Sequence, residues 1–178
     1  MSALIFWDDA APAGIELPVS RAIAAILEVP VDVQASGILL DGYDGTRKQI
    51  DATAVLDTLE VRRHRSGINR PVLLVIGQDL FRAGSLFLFG LARPSTGGSV
   101  ISTARLSNEY YNRHPDTGDF VDRIAKEGSH EIGHLSGLDH CRDAGCIMFN
   151  PCTLEDLDRK QKQFCPECRQ KLDAWIRK

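Results

Sequence analysis

"HEIGHLSGLDHC" (130–141) packs three histidines, a glutamate and a cysteine into one short stretch, with a glycine between the second and third histidine. His130 and His134 are four apart, so on a helix both imidazoles fall on one face about a turn apart, where they can grip one zinc ion. Glu131 stands beside them, placed to take a proton from water on a metal that lowers the pKa of that water to about 7. On a straight helix, ten residues at about 1.5 Å rise would carry His140 roughly 15 Å from His130, so the chain must turn back. Gly137 permits the turn, because without a Cβ it adopts the positive φ that leads out of a helix. His140 then joins the other two histidines and leaves one coordination position free for water, as in a catalytic zinc site.

Working outward, "DFVDRIAKEGSHEIGHLSG" (119–137) reads as a long helix, with Phe120, Ile124, Ile132 and Leu135 as its apolar positions and Gly137 as its left-handed end. Upstream, "ALIFW" (3–7) is a short buried strand and "PVSRAIAAILEV" (18–29) a helix opened by Pro18. "VDVQAS" (31–36) is the next strand, "QIDATAVLDTLEVRRHR" (49–65) a helix with a basic end, and "PVLLVIG" (71–77) a strand covered on both faces. This βαβαβ order predicts a largely parallel sheet with helices packed against it. "LFLFGLA" (86–92) and "SVISTARL" (99–106) are joined by "RPSTGG", too short for a crossover helix, so they should be antiparallel. "TLEDLDRKQKQF" (153–164) predicts a further helix, with Thr153 as N-cap and Asp156 at its third position. The expected fold class is therefore α/β: a twisted mixed sheet, mostly parallel, with one antiparallel edge strand near 86–92 beside the metal.

A chain of 178 residues suits one domain (1–178), in which a sheet-and-helix part (1–137) ends in the histidine helix and is followed by a smaller metal-binding part (138–178). With 43% hydrophobic and 25% charged residues, disordered and fibrous classes drop out. A net charge of −3 gives no footprint for nucleic acid or an anionic membrane, and the basic run "VRRHR" (61–65) reads as a solvated helix end. "MSALIFWDDA" (1–10) has no basic leader and its apolar run stops at Asp8 and Asp9, so neither a signal peptide nor a membrane span is expected. The expected setting is the cytosol, where thiols stay reduced and clustered cysteines bind metal more often than they pair, and the expected state is a monomer. Cys141, Cys146, Cys152, Cys165 and Cys168 all lie in the C-terminal part. Cys165-Pro-Glu-Cys168 is a zinc-knuckle turn, and Cys141 with Cys146 can supply the second pair of a closed, structural four-thiolate site. His140 and Cys141 are adjacent, so in an extended segment their side chains point to opposite sides, one toward each of two zinc ions per chain.

The stretch "HEIGHLSGLDHC" with its following methionine resembles the metzincin metalloproteases, in which a methionine in a tight turn lies beneath a three-histidine zinc. Met148 in "CIMFNP" fits that Met-turn. The likeness is closest to the archaemetzincins, through "HEIGHLSGLDHCRDAGCIM", "CPEC", "FLFGLA" and "STARL", and spans about residues 71 to 170. The resemblance implies a zinc-dependent peptide hydrolase whose substrate pairs with the antiparallel edge strand, with zinc polarising the scissile carbonyl and Glu131 as general base. It also implies that Cys152 is not a ligand, and as a small thiol it is expected to be buried. Tyr110, Tyr111 and His114 in "NEYYNRHPD" (108–116) are candidates for touching substrate or oxyanion. Nothing acidic in the edge strand would hold a substrate's free α-amine, so the residues themselves do not support aminopeptidase action. Two other classes fit parts of the pattern: an SprT-like protease of DNA-bound proteins and a catalytically idle zinc protein that binds a partner.

Overall fold

Five strands form the main sheet of a computed structural model that describes residues 2–177. They are β1 (Ala3–Trp7), β2 (Val31–Ala35), β5 (Val72–Ile76), β7 (Gly90–Arg93) and β8 (Gly98–Ser102), laid side by side in the order β2-β1-β5-β8-β7. β1 pairs in parallel with β2 and β5, β5 pairs in parallel with β8, and β7 alone runs antiparallel, at the edge. The sheet is thus mixed, mostly parallel, with its one antiparallel strand where the sequence puts it.

Every residue of β1, β5 and β8 is buried, as continuous apolar strands covered on both faces should be. Alternation divides their side chains between two cores. Ile5, Trp7, Leu73, Val75 and Ile101 face α1 (Glu16–Leu27) and α3 (Thr117–Leu135), whereas Phe6, Leu74, Ile76 and Val100 share a core with Val55, Leu56 and Leu59 of α2 (Ala52–Arg65). A second, three-stranded sheet, which the sequence did not announce, joins β3 (Tyr43–Asp44), β4 (Gln49–Asp51) and β6 (Leu80–Phe81). Two helices close the chain, α4 (Leu154–Arg159) and α5 (Pro166–Ile176). Among the described residues no helix is long and apolar enough to cross a membrane.

Several expected elements have different bounds: α1 begins at Glu16, so Pro18 lies in its first turn rather than opening it, and ends at Leu27, and β8 ends at Ser102 rather than running to 106. The helix expected over 49–65 begins at Ala52, because Asp51 caps it by accepting from the Thr53 N–H while Gln49–Asp51 pairs with β3 and β6. The strand expected over 86–92 is regular only from Gly90, and the preceding residues form a loop in which Leu86 is solvent-exposed and Leu88 makes an isolated bridge to Leu80. The helix expected over 153–164 stops at Arg159. Its start is as read, with Thr153 and Asp156 capping each other's backbone N–H groups, but Lys160 leaves helical geometry at ψ 134° and carries its side chain wholly into the interior.

Candidate active site

The site is built on α3, whose N-terminus is capped by the Asp116 carboxylate accepting from the Asp119 N–H at 2.9 Å. From Arg123 onward nearly all of α3 is buried between the sheet and α1. The helix ends as expected: Gly137 has φ 83°, and the Leu138 N–H returns to the Gly133 carbonyl at 3.1 Å, so buried Leu138 anchors the reversal. His140 then comes back over α3. The rings of His130, His134 and His140 have centroids 4.6, 5.3 and 4.8 Å apart, and their donor nitrogens all lie within 4.8 Å of one another.

Hydrogen bonding fixes how two of these rings are used. His130 Nδ1 lies 2.9 Å from the Ile147 carbonyl and His134 Nδ1 2.7 Å from the Leu138 carbonyl. A carbonyl only accepts, so each Nδ1 bears the proton and each Nε2 presents a lone pair. Those two Nε2 atoms face each other at 3.1 Å. Two lone pairs at that distance repel, and a cation between them removes the conflict. Burial also holds all three histidines below their ordinary pKa, most strongly His130, which keeps them neutral, as metal ligands must be. The donor set therefore fits zinc.

Glu131 is buried on the same face and its Oε2 has no hydrogen-bond partner. Burial pushes its carboxyl well above the usual range, the carboxylate of Glu127 adds to this, and Lys160 opposes it. Gly90 of β7 makes room for it: a Cβ there would stand 2.6 Å from Glu131 Oε1 and 2.9 Å from its Cγ. Before this helix face opens a cleft of about 550 Å³, walled by residues 87–92 and Pro94 on one side and by Asn150, Pro151 and Cys152 on the other, with Arg82 on its rim. Phe87 is held in the wall by Arg105, whose guanidinium stacks 4.2 Å above its ring and grips Asp79 at 2.7 to 3.0 Å.

Beside the histidines lies the second cluster. The sulfurs of Cys141, Cys146, Cys165 and Cys168 are all within 4.8 Å of one another, with Cys141 and Cys165 3.8 Å apart, too far for a disulfide. Backbone N–H groups of Met148 and Cys165 point at Cys146 Sγ at 3.4 and 3.3 Å, and that of Asp143 at Cys141 Sγ at 3.4 Å, donors that suit thiolates. Burial and the neighbouring sulfurs push the Cys168 thiol far up, a crowding that a cation relieves. Between the clusters a tight turn, closed by the Phe149 N–H on the Cys146 carbonyl at 3.0 Å, buries Met148 against α3. Gly133 lets it in: a Cβ there would meet Met148 Sδ at 2.4 Å.

Other expectations fare differently. Cys152 is exposed on the cleft wall rather than buried, with its N–H tied to the Asp156 carboxylate at 3.2 Å just ahead of α4. Tyr110, Tyr111 and His114 do not line the cleft: Tyr110 stacks against Arg105, the Tyr111 hydroxyl donates to the Arg105 carbonyl, and His114 bonds the Pro115 carbonyl. "VRRHR" is the end of α2, as read. The sequence reading missed Glu127, Lys160, Gly90 and Gly133. Only Glu127 carried a local signal, four residues before Glu131 and so on the same helix face.

The sequence profile of Peptidase family M54 matches residues 23–174. The chain is 34% identical to the archaemetzincin of Saccharolobus solfataricus over 148 residues, which cover 83% of this chain and 79% of that one. A zinc-dependent peptidase from Methanocorpusculum labreanum superposes with a TM-score of 0.91 at 42% identity, over 96% of this chain and 99% of that one. The archaemetzincin of Methanopyrus kandleri superposes with a TM-score of 0.83 at 30% identity, over 100% of this chain and 96% of that one.

Proposed function

The chain belongs to peptidase family M54, the archaemetzincins, and is a zinc metallopeptidase; from that premise we propose that His130, His134 and His140 hold a catalytic zinc and that Glu131 is the general base of peptide-bond hydrolysis. The observation that supports this most directly is the pair of opposed Nε2 lone pairs at 3.1 Å beside an unpartnered Glu131 oxygen. A zinc ion held by these three histidines would supply Lewis-acid polarisation of the scissile carbonyl. The chain's own residues do the rest. The free edge of β7 offers backbone groups to an extended peptide, which would recruit substrates of varied sequence. Gly90 leaves space for the Glu131 carboxylate against that strand. Glu131, whose burial raises its appetite for a proton, accepts one from the attacking water and gives it to the departing amine nitrogen. Met148 serves as the Met-turn residue beneath the histidines, with Gly133 giving it access.

A second, structural zinc belongs to Cys141, Cys146, Cys165 and Cys168, making two zinc ions per chain, and Gly137 is the structural residue that returns His140 to the site. We read 1–137 and 138–178 as parts of one domain acting as a monomer, because one chain lines the whole cleft. Four free thiols grouped for metal suit a reducing, cytosolic setting. The M54 match and the archaemetzincin relatives favour this reading over an SprT-like protease, and the open cleft with Glu131 in it favours it over an idle binding protein.

The test is Glu131→Gln in the zinc-loaded chain. Cleavage of a quenched-fluorescent peptide library should fall by at least about a hundredfold, with zinc content and melting near the parent. Cleavage at the parent's rate would end the general-base reading, and a single zinc at saturating metal would end the two-site reading.

A further inference from the structure

At the floor of the cleft, and beneath it, lie charges that the peptidase reading leaves unused. Glu127, one turn before Glu131, is buried, and its Oε2, like that of Glu131, has no hydrogen-bond partner. Two largely buried carboxylates so close repel unless a cation stands with them. Lys160 supplies one. None of its side chain is exposed, and its Nζ lies 4.0 Å from Glu127 Oε2 and 3.4 Å from His130 Nδ1. Because His130 Nδ1 carries a proton toward the Ile147 carbonyl, it has no lone pair for Lys160; Glu127 is the ammonium's near partner, and the Glu131 carboxylate and the Cys146 sulfur act on it from farther away. Lys126, the other ammonium at this end of α4, is taken by the carbonyls of Leu157 and Asp158 at 3.3 and 3.2 Å.

Several ties fix where Lys160 enters. Thr153 and Asp156 cap the start of α4, and Arg123 grips Asp158 through two hydrogen bonds of 2.6 and 2.9 Å. The chain leaves the helix at Lys160 itself, so a short element held at both ends delivers one side chain beneath α3. Burying an ammonium completely is costly, and it is sustained only where its partners are worth more than water.

We propose that Lys160, paired with Glu127, is a positioning residue whose ammonium also draws the Glu131 carboxylate into its working place. This rests on the reading of Glu131 as general base.

The test is a set of melting cycles on the zinc-loaded full chain. Lys160→Met strands two buried carboxylates and should lower Tm by about 6 to 20 °C. In a Glu127→Gln or a Glu131→Gln background the same substitution should cost less than about half that shift, because each carboxylate feels the ammonium. Should Lys160→Met alone not fold, the cycle runs in the Glu127→Gln background, where losing the ammonium should cost less with Glu131→Gln than with Glu131 intact. The second readout is kinetic, on a quenched-fluorescent peptide that the parent cleaves. Lys160→Met/Glu127→Gln should regain most of the lost Tm yet keep kcat at least about tenfold below the parent, with KM within about twofold.

A Lys160→Met shift unchanged by Glu131→Gln overturns the inference. So does kcat recovering together with Tm in the Lys160→Met/Glu127→Gln variant, which would make the pair structural only. Melting needs no turnover, so the two failures stay distinct: a Glu131→Gln chain that still cleaved peptide would end the general-base reading alone, while a missing coupling would end this inference alone.

Discussion

Gly90→Ala puts the edge strand and the proposed general base into direct conflict. The new Cβ would stand 2.6 Å from Glu131 Oε1 and 2.9 Å from both Glu131 Cγ and Ile101 Cγ2, where ordinary contact begins near 3.4 Å. Clearing its own contacts requires the Glu131 carboxylate to move by about 0.8 Å, the difference between 3.4 and 2.6 Å, while the clash with Ile101, fully buried in β8, is relieved only by a small shift of β7. A displacement of about 1 Å at a reacting group costs roughly a hundredfold in rate. Stability should suffer less. The backbone pairing of β7 with β8 does not involve the Cβ, and overpacking of this kind costs about 1 to 3 kcal/mol, or roughly 2 to 12 °C in Tm for a chain of this size. The control is Gly98→Ala at the other end of the same hairpin, where the nearest atom is Leu59 Cδ2 at 3.1 Å and Glu131 is not involved. Melting and peptide cleavage are measured on zinc-loaded protein for both. If Gly90→Ala cleaves within about threefold of the Gly98→Ala control, Glu131 is not held where the structure places it and the reasoning fails.

Other outcomes follow from the same geometry. Arg123→Met breaks a buried fork onto Asp158 and bonds to the Leu106 carbonyl and Asn108, and should cost about 3 kcal/mol, read as a Tm roughly 6 to 12 °C lower. Gly137→Ala meets no atom within 4 Å, so its cost is the left-handed backbone alone, about 1 to 2 kcal/mol, and Gly137→Asn should melt above Gly137→Ala. Cys152→Ser, on an exposed wall, should melt within about 2 °C of the parent, whereas Cys168→Ser opens a buried four-sulfur cluster and should be among the most damaging single changes. Metal-free protein has its own pH dependence. Burial holds His130 below its ordinary pKa of about 6.5, so below that pH the unfolded chain binds protons that the folded chain refuses. Stability is then complete above about 6.5 and lost as pH falls toward the lowered value, and chelated protein should melt lower at about pH 5 than at about pH 7.5.

What could be read from the sequence was local or periodic. The helix 117–135, its glycine exit and both donor sets rest on spacings of three to six residues and on the φ freedom of Gly137, so "HEIGHLSGLDHC" and "CPEC" displayed them directly. The burial of 3–7, 72–76 and 98–102 followed from their unbroken apolar runs. What stayed hidden depends on tertiary approach. Gly90 and Gly133 matter only because Glu131 and Met148 arrive within 3 Å of where a Cβ would be, and nothing in "FLFGLA" or "HEIGH" shows which atoms will come near. Lys160 sits in "LDRKQKQ", which has the composition of a solvated helix face, and its burial is decided by Glu127, more than thirty residues away. Cys152 failed in the opposite sense. The apolar character of thiols suggested the interior, while the backbone tie of Cys152 to the Asp156 carboxylate at the exposed start of α4 leaves that residue on the cleft wall.

The two clusters share one stretch of chain, and this explains why an exposed turn can hold a metal geometry. His140 belongs to the histidine set and Cys141 to the cysteine set; five residues on, Cys146 belongs to the cysteines, the Ile147 carbonyl fixes the tautomer of His130, and Met148 packs on Gly133. The Cys141 N–H donates to the Met148 carbonyl at 2.8 Å, closing 141–148 into a loop whose two ends each face both clusters. Such a loop has little apolar burial beyond Cys146, Ile147 and Met148, and alone it would be among the more mobile parts of the fold. The cysteines of "CPEC" at the start of α5 pin it from the far side, through the Cys165 N–H on Cys146 Sγ. Rigidity at the histidines is thus borrowed from the cysteine cluster through covalent neighbours one residue apart. Loss of the cysteine site should loosen His140 directly and His130 through Ile147, before it disturbs the sheet.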